Sequence, residues 1–172
     1  LLSSKKNINI GMSGRFVAQK DHETLIRSIN EINENVSLFL FGDGPLFNRL
    51  NLLVNKLGLT NRVIFKGWVK DINIELENID LYVQSSNWEG FGLSVVEAMA
   101  KGIPVLGSKV PGLQEVIGSN KYLFKKNSKN ELVEKIKLIL DNDKNYSLAS
   151  EFAFERSKKY SEELMTKNYL DL

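Results

Sequence analysis

The chain has 172 residues, of which 42% are hydrophobic, 26% charged and only 3 proline. That is the composition of one globular domain with enough chain for a sizeable core, and it excludes a disordered or collagenous polymer. Lysine and arginine number 23 against 21 acidic residues, an excess too small to neutralise a nucleic-acid backbone, so no nucleic-acid partner is expected and any anion site must be local. The absence of cysteine excludes a disulfide framework, a thiolate metal site and a cysteine nucleophile, and it makes the reducing cytoplasm the default compartment. No apolar run reaches the roughly 18–20 residues of a membrane span, and the opening LLSSKKNINI lacks the apolar stretch of a signal peptide. Because the sequence starts at Leu1 and its first methionine, Met12, falls inside a strand, it reads as a piece of a longer protein.

Short β-rich runs alternate with longer segments of helical period, the pattern of β-α units around a parallel sheet. In chain order the strands are expected at Asn9 to Ser13, Ser37 to Phe41, Val63 to Lys66, Leu81 to Gln84, Pro104 to Leu106 and Tyr122 to Phe124. Amphipathic helices are expected between them at His22 to Ile32, Leu46 to Leu57, Ile72 to Glu77, Ser94 to Ala100 and Leu113 to Ile117, with another at Lys129 to Leu140. Two further helices, Tyr146 to Lys159 and Glu162 to the end, follow the sixth strand. Six strands joined by right-handed crossovers predict a Rossmann-like, doubly wound α/β sheet of order 3-2-1-4-5-6 with helices on both faces. Ligands of such sheets bind where the winding reverses, at the carboxyl ends of strands one and four. Two loops therefore matter most, Gly14 to His22 and Ser85 to Ser94.

In the first loop Gly14 allows close approach to the backbone, and Arg15 and Lys20 flank the switch point just before a helix N-terminus. Two cations, orphan amides and a helix dipole together suit an anion, although ordinary surface charges would leave the same trace. Asp21 or His22 is positioned to cap the helix. In the second loop Glu89, Gly90, Phe91, Gly92, Leu93 and Ser94 run straight into a helix that carries Glu97. Carboxylates beside phosphate-binding cations suit ribose and sugar hydroxyls, which donate the hydrogen bonds that a phosphate cannot. Ser94 and Glu97 also have the spacing of a capping box, a purely structural alternative.

The stretch EGFGLSVVEAMAKGIPVLGSKVPGLQEVI (Glu89 to Ile117), together with GRFVAQKDHETLI, LFGDGP and VIFKGWV, resembles the C-terminal domain of retaining GT-B glycosyltransferases of family four, in the family's order and over almost the whole chain. Glu89 and Glu97 match its Glu-x7-Glu motif. The resemblance implies one half of a two-domain enzyme, a nucleotide-sugar donor domain whose absent N-terminal partner domain supplies most of the acceptor site. It implies that Arg15 and Lys20 hold the diphosphate and stabilise the departing nucleoside diphosphate. It further implies that Glu97 takes the ribose hydroxyls, that Glu89 contacts the transferred sugar, and that Gly90, Phe91, Gly92 and Leu93 offer backbone groups, with Ser94 near the phosphate. The donor would be a UDP- or GDP-sugar, a UDP-hexose by common usage, with no cofactor and no metal required. The acceptor would be a glycan or lipid-linked acceptor of surface polysaccharide biosynthesis at the inner face of the membrane.

Other features carry plainer expectations. Trp68, in the loop where the family holds the base, is a stacking candidate but is expected as a partly buried core aromatic. Gly42, Asp43, Gly44 and Pro45 form a tight turn that either admits the donor or starts the next helix. Asp141, Asn142 and Asp143 spell a D-x-D, yet they lie away from the switch point and read as a solvated helix end. His22 lacks partners for a metal site. Lys121, Lys125, Lys126 and Lys129 read as a solvated face, with peripheral membrane contact as the alternative. Among rival functions, a dinucleotide-dependent oxidoreductase needs G-x-G-x-x-G after strand one, which GMSGRF does not supply. A nucleotide-sugar epimerase and a non-catalytic nucleotide-sugar binding module share the donor site and stay open.

Overall fold

A computed structural model describes residues 5–32 and 35–160. Six strands form one sheet in the order β3-β2-β1-β4-β5-β6, and every neighbouring pair is parallel. They are β1 (Ile8–Ser13), β2 (Val36–Phe41), β3 (Val63–Gly67), β4 (Leu81–Gln84), β5 (Val105–Ser108) and β6 (Leu123–Phe124). The helices α1 (His22–Ile29), α2 (Phe47–Lys56), α3 (Ile72–Leu76), α4 (Leu93–Ala100) and α5 (Pro111–Ile117) cross between strands, and α6 (Lys129–Leu140) and α7 (Asp143–Ser157) follow β6. The doubly wound order is the one expected.

Helices on both faces explain why β4 and β5 are buried at every position and β1 and β2 at most of theirs. Ile10 and Met12 of β1, Leu38 and Leu40 of β2, Leu81 and Val83 of β4 and Leu106 of β5 have no solvent exposure. Such strands read as apolar runs rather than as alternating patterns. At the amino end of the sheet the buried Asp80 accepts the Asn9 amide at 2.9 Å and pairs with Lys5. The Tyr146 hydroxyl donates to Asp80 O at 3.0 Å and fastens α7 beneath β4.

Several bounds differ from expectation. Helix α1 stops at Ile29 rather than Ile32, and β5 is shifted to Val105–Ser108. Tyr122 lies in a 3-10 turn, Asn120–Tyr122, because Ser119 caps it by accepting the Lys121 amide. Helix α5 starts two residues early because Pro111 occupies its first turn, where a missing N–H costs nothing. Asn142 accepts the Asn145 amide at 2.9 Å as the cap of α7, so the D-x-D sequence is a helix junction, as expected. The expected last helix, from Glu162, lies outside the described residues. Among the described residues no helix is long and apolar enough to cross a membrane.

Candidate functional site

Strands β1 and β4 are neighbours whose chains leave in opposite directions, so their following loops open a crevice at the carboxyl edge of the sheet. Side chains and backbone stitch the two loops together. The Ser85 hydroxyl lies 2.9 Å from Asp21 O and 3.2 Å from Lys20 O. The Asn87 amide donates to Gln19 O at 2.6 Å, its side chain donates to Ala18 O at 2.8 Å, and Gln19 Nε2 reaches Trp88 O at 3.1 Å. This stitching brings Lys20 and Glu89, 69 residues apart, into an ion pair of 2.7 Å, with side chains only 18% and 11% exposed. Pairing of these two was not legible in the sequence, which treats them as separate ligand groups.

Glu89 is held from below as well. Its Oε2 accepts the Ser86 hydroxyl at 2.9 Å and lies 3.5 Å from Gln84 Nε2. Gln84 and Ser86 have no solvent exposure. Behind them the Tyr82 hydroxyl accepts the Ser13 amide at 2.9 Å and donates to Gln84 Oε1 at 3.2 Å. Burial, with the charges of Glu97 and Glu89 adding, pushes the Tyr82 phenol up to about 12, against the opposing hydrogen bonds of Ser94 and Ser13. Ser94 therefore faces this phenol. Tyr82, Gln84 and Ser86 went unnoticed in the sequence; the clue was a buried strand that turns polar at its carboxyl end, LYVQSS.

Glu97 stands on the other flank. Burial holds its carboxyl above the ordinary 4.5, and the negative charge of Asp71 beyond β3 adds to the rise. The capping-box alternative for Ser94 and Glu97 does not form, because α4 begins at Leu93 with Gly92 as its cap, φ +80°, and no side-chain cap. Ser94 is then inside the helix, and Glu97 lies one turn further in. With Val95 and Val96 bonded to Gly92 O, the uncapped start of α4 leaves the amides of Leu93 and Ser94 for an incoming acceptor. Phe91 is less a backbone donor alone than an anchor, its ring edge-on to Tyr160 at 5.4 Å. Gly90 is exposed at the loop tip.

Arg15 is exposed and, with Gly14, Gly42, Asp43, Trp68 and Lys70 among its lining residues, borders a cleft of about 530 Å³. A β-carbon on Gly14 would meet the Lys20 stem at 3.1 Å, so its glycine makes room for that cation. The expectation that Trp68 is a core aromatic is wrong: it is 77% exposed on the rim of this cleft, since β3 ends at Gly67 and turns the next side chain outwards. Gly42, φ +135°, serves close packing, because a β-carbon there would lie 2.2 Å from Gly14 O. The turn also receives the Phe16 amide on Asp43 O at 2.9 Å, so it locks the first loop while bordering the cleft.

Asp21, not His22, caps α1, in a left-handed conformation and accepting the Thr24 amide at 3.3 Å. His22 is buried edge-on against Phe16, and burial with the adjacent Lys20 charge pushes its imidazole down to about 4. Of the four lysines, Lys129 pairs with Glu31 and Lys121 lies over the Tyr122 ring, leaving Lys125 and Lys126 exposed beside them.

A model of glycosyl transferases group 1 matches residues 1–156. Protein CapJ of Staphylococcus aureus is 36% identical over 168 residues, 94% of this chain and 39% of CapJ. The lipopolysaccharide core biosynthesis glycosyltransferase LpsE of Rhizobium meliloti is 32% identical over 162 residues, 92% of this chain and 47% of LpsE. The chain thus spans less than half the length of either relative. Among solved structures, Anabaena HepE in complex with UDP-glucose superposes with a TM-score of 0.82 at 28% identity, over 92% of this chain and 45% of HepE. With a GT-B-type sheet whose switch-point crevice gathers these side chains, the chain belongs to the group 1 glycosyl transferases.

Proposed function

We propose that the chain is the donor-binding domain of a retaining glycosyltransferase that takes a nucleotide-diphosphate hexose, UDP-linked, and passes the sugar to a glycan or lipid-linked acceptor in surface polysaccharide synthesis. The observation that carries this reading is the crevice between the ends of β1 and β4. It gathers Arg15, Lys20, Glu89 and Glu97 with the uncapped start of α4. As the glycosidic bond to the diphosphate breaks, negative charge grows on the leaving oxygen. Arg15, Lys20 and the amides of α4 supply fixed positive potential there, and this is the largest electrostatic lever the site offers. They do the work a divalent ion would otherwise do, so transfer is proposed to be metal-independent. Glu97 accepts ribose hydroxyls, Glu89 those of the transferred sugar, and exposed Trp68 stacks on the base.

Two comparisons support the reading. HepE is solved with UDP-glucose, and LpsE is named for lipopolysaccharide core biosynthesis. The acceptor site belongs to an N-terminal domain, so this domain alone binds donor without transferring it. The assembled enzyme works in the cytoplasm, at the inner membrane face, where Lys125 and Lys126 are placed to touch anionic lipid.

Calorimetric titration with UDP, GDP and ADP, with and without a divalent ion, tests the donor half directly. Saturable, metal-independent binding of one of them is expected. In the full-length protein Lys20→Ala or Glu97→Ala should weaken it about tenfold or more, the loss of one charge-assisted hydrogen bond. Unchanged affinity in both variants would remove these residues from the site, and no binding at millimolar concentration to the full-length protein would end the donor reading.

A further inference from the structure

We propose that Gln84 and Ser86, set in line by Tyr82, are positioning residues that hold the Glu89 carboxylate by its Oε2 and leave Oε1 for the transferred sugar; this deepens the donor-site reading above and rests on it. Three donors converge on the same oxygen, Lys20 Nζ at 2.7 Å, Ser86 Oγ at 2.9 Å and Gln84 Nε2 at 3.5 Å. No hydrogen bond to Oε1 occurs among the described residues.

The chain of bonds has one direction. The Ser13 amide can only donate, so the Tyr82 hydroxyl accepts it and gives its own proton to Gln84 Oε1. That fixes the amide with Nε2 towards Ser86 Oγ at 2.9 Å, and a Ser86 hydroxyl that accepts there donates onward to Glu89. The backbone of Ser86 is pinned in turn by the Ser108 hydroxyl of β5, which donates to Ser86 O. Tyr82, Gln84 and Ser86 are buried groups whose hydrogen-bonding atoms find partners within the chain. A network of this kind strengthens cooperatively and allows few alternative rotamers.

Its function follows from what Lys20 must do. Before donor arrives, Lys20 alone could hold Glu89. Once a diphosphate enters between Arg15 and the start of α4, Lys20 has a doubly charged competitor for its ammonium. A glutamate tethered only by Lys20 would then be released at the moment the sugar needs it. Neutral donors from Gln84 and Ser86 have no attraction to the phosphates beyond their reach, so they keep the carboxylate in place while the lysine changes partner.

The test uses the full-length protein and whichever of UDP-glucose, UDP-N-acetylglucosamine and GDP-mannose it turns over fastest, read as release of nucleoside diphosphate. Gln84→Leu, Ser86→Ala and Glu89→Gln are made singly, and the first two also on the Glu89→Gln background. Gln84→Leu and Ser86→Ala should each lower kcat about tenfold or more while the Kd of the free nucleoside diphosphate, which lacks the sugar, stays within about twofold. On the Glu89→Gln background the same changes should cost less than about twofold more, since the group they position is gone. A purely structural role predicts equal losses on both backgrounds and weaker nucleotide binding, and either result overturns the proposal. Wild-type kcat in both single variants overturns it as well. If Gln84→Leu does not fold, Ser86→Ala decides. Should Glu89→Gln itself leave turnover unchanged, the site assignment fails and this inference with it; a damaging Glu89→Gln beside harmless Gln84→Leu and Ser86→Ala sinks the inference alone.

Discussion

Gly112 lies at the second position of α5, far in sequence from the crevice, yet a β-carbon there would sit 2.3 Å from both Glu89 O and Gly90 O. Both obstacles are backbone oxygens, which cannot swing aside as a side-chain tip can. To reach even 3.0 Å the loop or the helix must move by about 0.7 Å, and ordinary contact at 3.4 Å needs about 1.1 Å. Gly112 is not among the glycines with positive φ, so Gly112→Ala strains no dihedral, and in a helix alanine is otherwise favoured over glycine by roughly 0.5–1 kcal/mol. The two effects have opposite signs, which makes the variant informative. If the clash governs, the Glu89 loop shifts by the better part of an ångström, stability falls by about 1–3 kcal/mol, and kcat of the full-length enzyme falls by up to about a hundredfold. Free nucleoside diphosphate should bind less altered than the sugar is turned over, because the displaced carbonyls belong to the residues proposed to face the sugar. Urea unfolding and steady-state donor turnover measure the two arms. A variant more stable than wild type with unchanged kcat would show that α5 yields freely, and would refute the claim that it props the Glu89 loop.

Trp68 is 77% exposed, so Trp68→Ala should leave the melting temperature unchanged while weakening UDP binding by about 1–3 kcal/mol, the range for an aromatic stacked on a base; a lowered melting temperature with intact binding would make it a packing residue after all. His22 predicts an acid-sensitive fold. Its imidazole is pushed down from 6.5 to about 4 by burial and Lys20, so between those values the unfolded chain binds more protons and stability falls as pH drops. The whole window is worth about 3 kcal/mol. Asp21, raised by burial, contributes with the opposite sign, so the difference between wild-type and His22→Leu urea titrations isolates the histidine. A difference independent of pH from 7 to 4 would refute the burial argument.

The topology was legible because its cause is local. Apolar runs such as LYV and LFLF arise from strands covered on both sides, and alternation with amphipathic helices leaves one simple winding. Element ends were less legible, since they depend on caps such as Ser119 and Pro111 that compete with neighbouring choices. Within the site, Arg15, Lys20, Glu89 and Glu97 were legible as chemistry but not as geometry. Nothing in the sequence says that Lys20 reaches Glu89, or that Ser94 turns to Tyr82 instead of to a capping box with Glu97. Those outcomes come from Gly92, whose left-handed cap moves the helix start ahead of Ser94, and from stitching between loops 69 residues apart. Trp68 was misread for a related reason: hydrophobicity predicts burial only where the backbone turns the side chain inwards, and after Gly67 it does not.

The Lys20–Glu89 pair also bears on the stability of the proposed anion crevice in the absence of ligand. Two unpaired cations at the mouth of a helix N-terminus would repel each other and the dipole, while an unpaired carboxylate 11% exposed would lose most of its hydration. Pairing them satisfies both. In the proposed donor site the same pairing opposes binding, because Lys20 must give up a partly buried partner for the diphosphate. After the exchange Ser86 and Gln84 beneath Glu89 keep it in place, and a sugar hydroxyl at its free oxygen offsets the lysine it has lost. A nucleoside diphosphate without sugar leaves that oxygen to water, whereas a nucleotide sugar occupies it. On the proposed reading, the carboxylate that pairs with the lysine thus becomes, on release, an acceptor that favours the sugar-bearing ligand.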